Sequence, residues 1–283
     1  MRAILVALAL AVMFPLTVGA VVQINATGTT HDGTPSGTGM EDYVGMVNDA
    51  TGVYLGNGWV ITAAHVAQNG VNFKVGDTSY SVVANSTHWL NSTDGQSSAD
   101  LALFQITGFE GAGVTLYSGD VSSLNYDNST TLMMGYGSTT LSGTDRGFGW
   151  GYGCVVSNNY QTITDQDRTT DVYVSLSYNA VPAVGGAGLL ENKAQAFIGD
   201  SGGAGFVKVG DEWQLAGIML EVGSIPYGPS DEYSTDTAFT MLADLTQYAD
   251  QINNIIIPEP STWALLVTGA GLVLSLSAAR RRK

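Results

Sequence analysis

Three short segments hold residue types that together can run acyl transfer. His65 closes the run Trp59-Val60-Ile61-Thr62-Ala63-Ala64-His65, a strand-like stretch ending in two small residues. Asp100 heads the apolar run Leu101-Ala102-Leu103-Phe104. Ser201 sits in Gly199-Asp200-Ser201-Gly202-Gly203, just ahead of the strand-like Ala204–Lys208. A serine hydroxyl is a weak nucleophile until a base takes its proton, and the base needs an acid to hold its tautomer and stabilise its cation. The glycines serve another need: without Cβ atoms the backbone turns so that successive N–H groups converge on a developing oxyanion. Singly, each segment has an ordinary reading: a packed histidine at a strand end, a turn aspartate, a flexible glycine loop. Their order, with gaps of 35 and 101 residues, joins them into one hypothesis.

Residues so far apart in the chain need a rigid frame to meet. Strand-like runs bounded by turn residues recur at Tyr43–Val47, Gly52–Leu55, Trp59–Thr62, Asn72–Val75, Tyr80–Val83, Leu101–Ile106 and Thr131–Met134. They continue at Gly153–Val156, Asp171–Leu176, Ala204–Lys208 and Trp213–Leu220, after a weak start at Val21–Ile24. Short strands at this spacing predict an all-β sandwich or barrel. A 3.6-residue apolar period predicts one helix over Met241–Ile257. No composition shift marks a linker between residues 21 and 257.

The two ends read as sorting segments rather than fold. Arg2, the apolar run Ala3–Leu16 and the small residues Val18, Gly19 and Ala20 make residues 1–20 a signal peptide cleaved after Ala20. At the other end, Pro258-Glu259-Pro260 precedes an uncharged stretch from Ser261 to Ala279, and the chain closes on Arg280-Arg281-Arg282-Lys283. That stretch is long enough to cross a bilayer as a helix, with its basic tail on the cytoplasmic side. Residues 258–283 resemble the PEP-CTERM sorting signal of Gram-negative bacteria. The resemblance implies an exosortase-type partner, a transient membrane anchor through residues 261–279, and release to the outer surface or an extracellular matrix. A plain single-span anchor is the alternative. The middle, residues 21–257, keeps five bases against 24 acids. A balance that acidic excludes a nucleic-acid binder held by a general basic surface. One cysteine, Cys154, excludes an internal disulfide framework. The short sequence and its surroundings favour a buried structural residue over a reactive thiol there.

The segments Thr62–His65, Asp100–Leu103 and Gly199–Gly203 resemble the signatures of the trypsin/chymotrypsin-like serine peptidases, and the likeness runs over residues 21–257. It implies two six-stranded antiparallel β-barrels with the site between them and a helix at the domain's C-terminus. It also implies His65 as general base then acid, Asp100 as orienting acid, Ser201 as nucleophile, and the Gly199 and Ser201 N–H groups as the oxyanion hole. Protein or peptide substrates follow; no cofactor or metal is implied. The pocket departs from the pattern. Gln195 stands where a carboxylate selects basic residues, so cleavage after Arg or Lys is disfavoured, and Leu220 and Val222 replace the usual pocket-lining residues. Leu220 also replaces a serine that contacts the triad's acid in relatives. Asp200 corresponds to an acid that pairs with a freed N-terminus in many relatives, and cleavage after Ala20 exposes Val21, so Val21 is expected to pair with Asp200. The altered cleft leaves one alternative, a catalytically weak peptidase-fold protein that binds at a cell surface or in an exopolysaccharide matrix.

Overall fold

The structure, a computed structural model, describes residues 21–23, 38–68, 70–124, 130–138, 146–155, 161–165, 167–176, 194–225 and 237–257. The early strands are β1 (Val22–Gln23), β2 (Val44–Val47), β3 (Ala50–Gly56) and β4 (Trp59–Ala63), which runs straight into the short helix α1 (Ala64–Ala67). Next come β5 (Phe73–Val75), β6 (Thr78–Val82), β7 (His88–Asn91), β8 (Ser98–Thr107) and β9 (Thr130–Gly135). They are followed by β10 (Gly149–Val155), β11 (Gln161–Asp165), β12 (Arg168–Leu176) and β13 (Ala194–Gln195). Last are β14 (Ala204–Val209), β15 (Glu212–Ile225), β16 (Thr237–Asp244) and α2 (Ala249–Ile256).

Two closed rings of strands result. The first runs β8-β4-β3-β2-β5-β6 and is closed by β6 pairing back to β8. The second runs β10-β9-β14-β15-β16-β12 and is closed by β10 pairing with β12. A parallel bridge, Arg168 to Ser98, joins the rings at β12 and β8. Closure removes free sheet edges, which suits a chain with few charges to protect them. Val47, Tyr54, Val60, Phe73, Phe104 and Ile106 fill the first barrel. Met133, Val155, Tyr173, Val207, Met219 and Leu242 fill the second. The largest cluster joins the barrels, bringing Ile61, Leu101 and Leu103 together with Leu132, Phe206, Leu215 and Ile218. The hairpin between β3 and β4 turns on Asn57 and Gly58, both at positive φ (52° and 82°), the pattern of a tight two-residue turn.

The expected barrels are present, and the helix expectation is corrected. Met241–Asp244 belongs to strand β16, and the helix begins only at Ala249. Tertiary pairing wins there: Leu242 lies opposite Tyr173 on β12 and Met219 on β15, and is fully buried. Asp244 then stops the strand by accepting from the Thr246 N–H at 3.0 Å, opening a single 3-10 turn. Strands β7, β11 and β13 had no clear signal, being respectively exposed, polar and two residues long.

Helix α2 packs on the first barrel although it follows the second in sequence. Ile252 and Ile256 enter the shared core, while Gln251 accepts from the Asn91 N–H and donates to the Asn91 carbonyl, both at 3.0 Å. Among the described residues no helix is long and apolar enough to cross a membrane. The expected sorting segments, residues 1–20 and 258–283, lie outside the described residues.

Candidate active site

His65 and Asp100 are brought together by strand pairing. Ala63 at the end of β4 lies opposite Leu101 on β8, so the first turn of α1 starts beside Asp100. The Asp100 carboxylate accepts from the His65 backbone N–H at 2.8 Å with Oδ1, and its Oδ2 lies 2.6 Å from His65 Nδ1. One carboxylate thus fixes both the position of the backbone and the plane of the ring. The acid side chain is 9% exposed and the histidine 33%, leaving the imidazole open on the side away from Asp100. The Asp100 N–H is itself engaged, donating to Thr170 Oγ1 at 2.7 Å.

Ser201 occupies the turn before β14. Its hydroxyl donates to the Leu220 carbonyl at 3.4 Å, at the weak end of hydrogen bonding, and is not hydrogen-bonded to the His65 ring. The turn around it is held from three sides. Asp200 N–H donates to Phe197 O, Gly203 N–H to Asp200 O, and Gly202 N–H to Met219 O on β15. From the first barrel, Thr51 on β3 donates its N–H to Ser201 O at 2.9 Å and its hydroxyl to Gly199 O at 3.3 Å. Thr51 Oγ1 also accepts from the Tyr136 N–H at 2.8 Å. Gly199 has φ +93°, where a Cβ is strained and would strike the Arg146 guanidinium.

The Ile198–Gly199 peptide is oriented by its carbonyl. Ile198 O accepts from the Ser138 N–H at 2.7 Å and from Arg146 Nη1. Because the peptide is planar and trans, this turns the Gly199 N–H to the opposite side. Neither the Gly199 nor the Ser201 N–H donates to another described residue, so two donors remain for an oxyanion.

Asp200 is fully buried. Its Oδ1 accepts from the Gly137 N–H at 2.9 Å and its Oδ2 from the Phe197 N–H at 2.7 Å. Burial pushes its carboxyl up to about 7, opposed by those two hydrogen bonds and by the positive Arg146. A Cβ on Gly135 or Gly137 would run into this carboxylate. Val21 is fully buried, and β1 pairs with β13, Val22 opposite Gln195. The cation near Asp200 within the described chain is Arg146.

Of the pocket residues, Gln195 is half-buried with its Oε1 enclosed and without a described hydrogen-bond partner. Leu220 is buried, and Val222 is 44% exposed. Sequence reading passed over Thr51, Arg146 and Arg168, whose Nη1 lies 3.8 Å from Asp100 Oδ1. A usable signal did exist for the two arginines: where residues 21–257 hold only five bases, each invites a reason. Among the described residues no group of His, Cys, Asp and Glu is arranged to hold a metal ion.

Comparison with solved structures gives neuropsin, a serine protease of mouse brain. It is 16% identical over 76% of this chain and 94% of its own, with a TM-score of 0.52. The active form of the Rv3671c protease of M. tuberculosis is 15% identical over 76% of this chain and 82% of its own, with a TM-score of 0.49. Comparison with functionally curated proteins returns no match. The Trypsin family profile matches residues 30–245, most of the two barrels including all three candidate segments. The chain belongs to the Trypsin family.

Proposed function

We propose that this protein is an exported serine endopeptidase that cleaves peptide bonds through an acyl-enzyme. The observation that carries the reading is the double hold of Asp100 on His65, which supports a ring oriented to act as a base. In this mechanism the Ser201 hydroxyl leaves its weak bond to Leu220 O and donates to His65. It attacks the substrate carbonyl as His65 takes its proton, and Asp100 stabilises the imidazolium. The oxyanion is received by the Gly199 and Ser201 N–H groups, the kind of preorganised donors that contribute most to such reactions. His65 then gives the proton to the leaving amine, and water, activated by the same base, releases the acid.

The surroundings favour a neutral or apolar side chain next to the scissile bond. Ile198, three residues before Ser201, and Val222, two residues beyond the Leu220 carbonyl that accepts from Ser201, are exposed (59% and 44%), and Gln195 offers no carboxylate for Arg or Lys. The signal peptide places the enzyme across the inner membrane. The C-terminal segment then engages an exosortase-type partner, which delivers it to the outer surface or matrix. After cleavage following Ala20, the new Val21 α-ammonium becomes a second cation available to Asp200.

Hydrolysis of a peptide library tests this reading. The wild-type protein is expected to cleave with a defined preference next to the bond. Ser201→Ala and His65→Ala should each lose roughly three orders of magnitude or more in kcat. No cleavage by folded wild-type protein would instead favour a matrix-binding role.

A further inference from the structure

Asp100 has a third neighbour that the acyl-transfer scheme leaves unused. Arg168 opens β12, opposite Ser98 in the bridge where the two barrels meet. This places its guanidinium against the acid, Nη1 at 3.8 Å from Oδ1, with only 16% of the arginine side chain exposed. The other side of the guanidinium is held by Gln68, the residue that ends α1. With the amide oxygen turned toward its donors, Gln68 accepts from Nη1 at 2.9 Å and from Nη2 at 2.6 Å. The arginine therefore ties the helix carrying His65 to the carboxylate that orients His65. On the same strand, Thr170 accepts from the Asp100 N–H.

We propose that Arg168 is a positioning residue: it anchors the Asp100 carboxylate from the second barrel and tempers its charge at the His65 ring, with Gln68 holding the guanidinium in place. The inference rests on the serine-peptidase reading for its consequence, but not for its test. The carboxylate's negative charge faces the His65 ring, and a guanidinium beside the same carboxylate offsets part of that field. Salt screens such a half-buried pair less than an exposed one.

Among the described residues, Arg168 is the cation within 4 Å of Asp100, beside the ionisable ring of His65. The other titratable groups on the strands packed against β8 are Tyr80 on β6, His88 on β7, and Asp171 and Tyr173 on β12, with Asp165 on β11 and Asp244 on β16 one strand further out. Asp171 is occupied by the Thr93 and Thr162 hydroxyls, and Asp244 by Thr246.

The direct test follows the His65 imidazole by NMR as a function of pH. The chain holds three histidines, so the His65→Gln spectrum assigns the resonance. In Arg168→Gln the titration midpoint of His65 should rise by about one pH unit, roughly a tenfold change in its protonation equilibrium. Arg168→Lys, which keeps the charge, should return most of the shift. Gln68→Glu, at an exposed position, should raise the midpoint in the same direction by drawing on the guanidinium's charge; it also decides the matter if Arg168→Gln does not fold. The acid limb of the fluorophosphonate labelling rate should move with the midpoint. A midpoint unchanged in folded Arg168→Gln and Gln68→Glu, or a Lys variant that behaves like the Gln variant, overturns the proposal. Wild-type protein that does not label would remove the peptidase reading, while the titration would still decide the role of Arg168.

Discussion

Thr51, outside the three signature segments, ties the first barrel to the serine turn. Its side chain is fully buried, and its single oxygen receives the Tyr136 N–H while donating to Gly199 O. Thr51→Val preserves shape but leaves the Tyr136 N–H without an acceptor, and should cost about 1–3 kcal/mol of stability by thermal melting. Because Gly199 O loses its donor in the same variant, kcat should fall more than KM changes. A melt and kinetics matching wild type would show that the turn is held without this residue.

Asp200 gives a prediction with a definite pH sign. Its folded carboxyl sits at about 7, above the usual carboxylate range, so the folded state holds a proton that the unfolded state releases. Its contribution to stability is therefore greatest at low pH and is lost as pH rises toward and through 7, where a buried charge must be carried. Arg146 supplies the countercharge once Asp200 ionises. Arg146→Met should lower the melting temperature more at pH 8.5 than at pH 5.5, and an equal drop at both would assign Arg146 a packing role only. The Val21 α-ammonium is tested beside it: activity retained with two residues added before Val21, and lost in Arg146→Met, gives the charge to Arg146.

At the scale of elements, the C-terminal helix shows how local pattern and tertiary context divide the work. The apolar spacing from Met241 onward suits either a helix or a barrel strand, and pairing with β12 and β15 takes the first half for the sheet. Only Ala249–Ile256, beyond the Asp244 cap, is left to coil. Ile252 is fully buried where this helix meets the barrel, and Ile252→Ala should cost roughly 2–5 kcal/mol through lost contacts and a cavity. Denaturant midpoints measure it; a loss under about 1 kcal/mol would mean that the helix docks through Gln251 rather than through its apolar face. Most strands were legible because each carries its own turn-bounded apolar run. Strand β7 was not, since its own residues are largely exposed and its place is set by pairing with β8 and by the Gln251 side chain of α2.

At the scale of the molecule, the frame was readable and the electrostatics were not. His65, Asp100 and Ser201 stand in local motifs whose glycines and alanines have local reasons, so sequence exposes them. Thr51, Arg146 and Arg168 gain their meaning only when barrel closure brings β3, β10's approach and β12 against the site, and no nearby residue announces them. A domain carrying 24 acids and five bases spends two of those bases beside the two aspartates of its candidate site. Net negative charge of this size favours solubility and repels anionic polymers, while two of the few cations sit at the site.

The central claim is that Ser201 is a nucleophile activated by His65. Reaction of the purified protein with a fluorophosphonate probe, followed by mass spectrometry of the labelled peptide, measures it most directly. The account predicts one probe per chain, attached to Ser201, with labelling abolished in Ser201→Ala and strongly slowed in His65→Ala. Label on another residue, or none on folded wild-type protein, would contradict it.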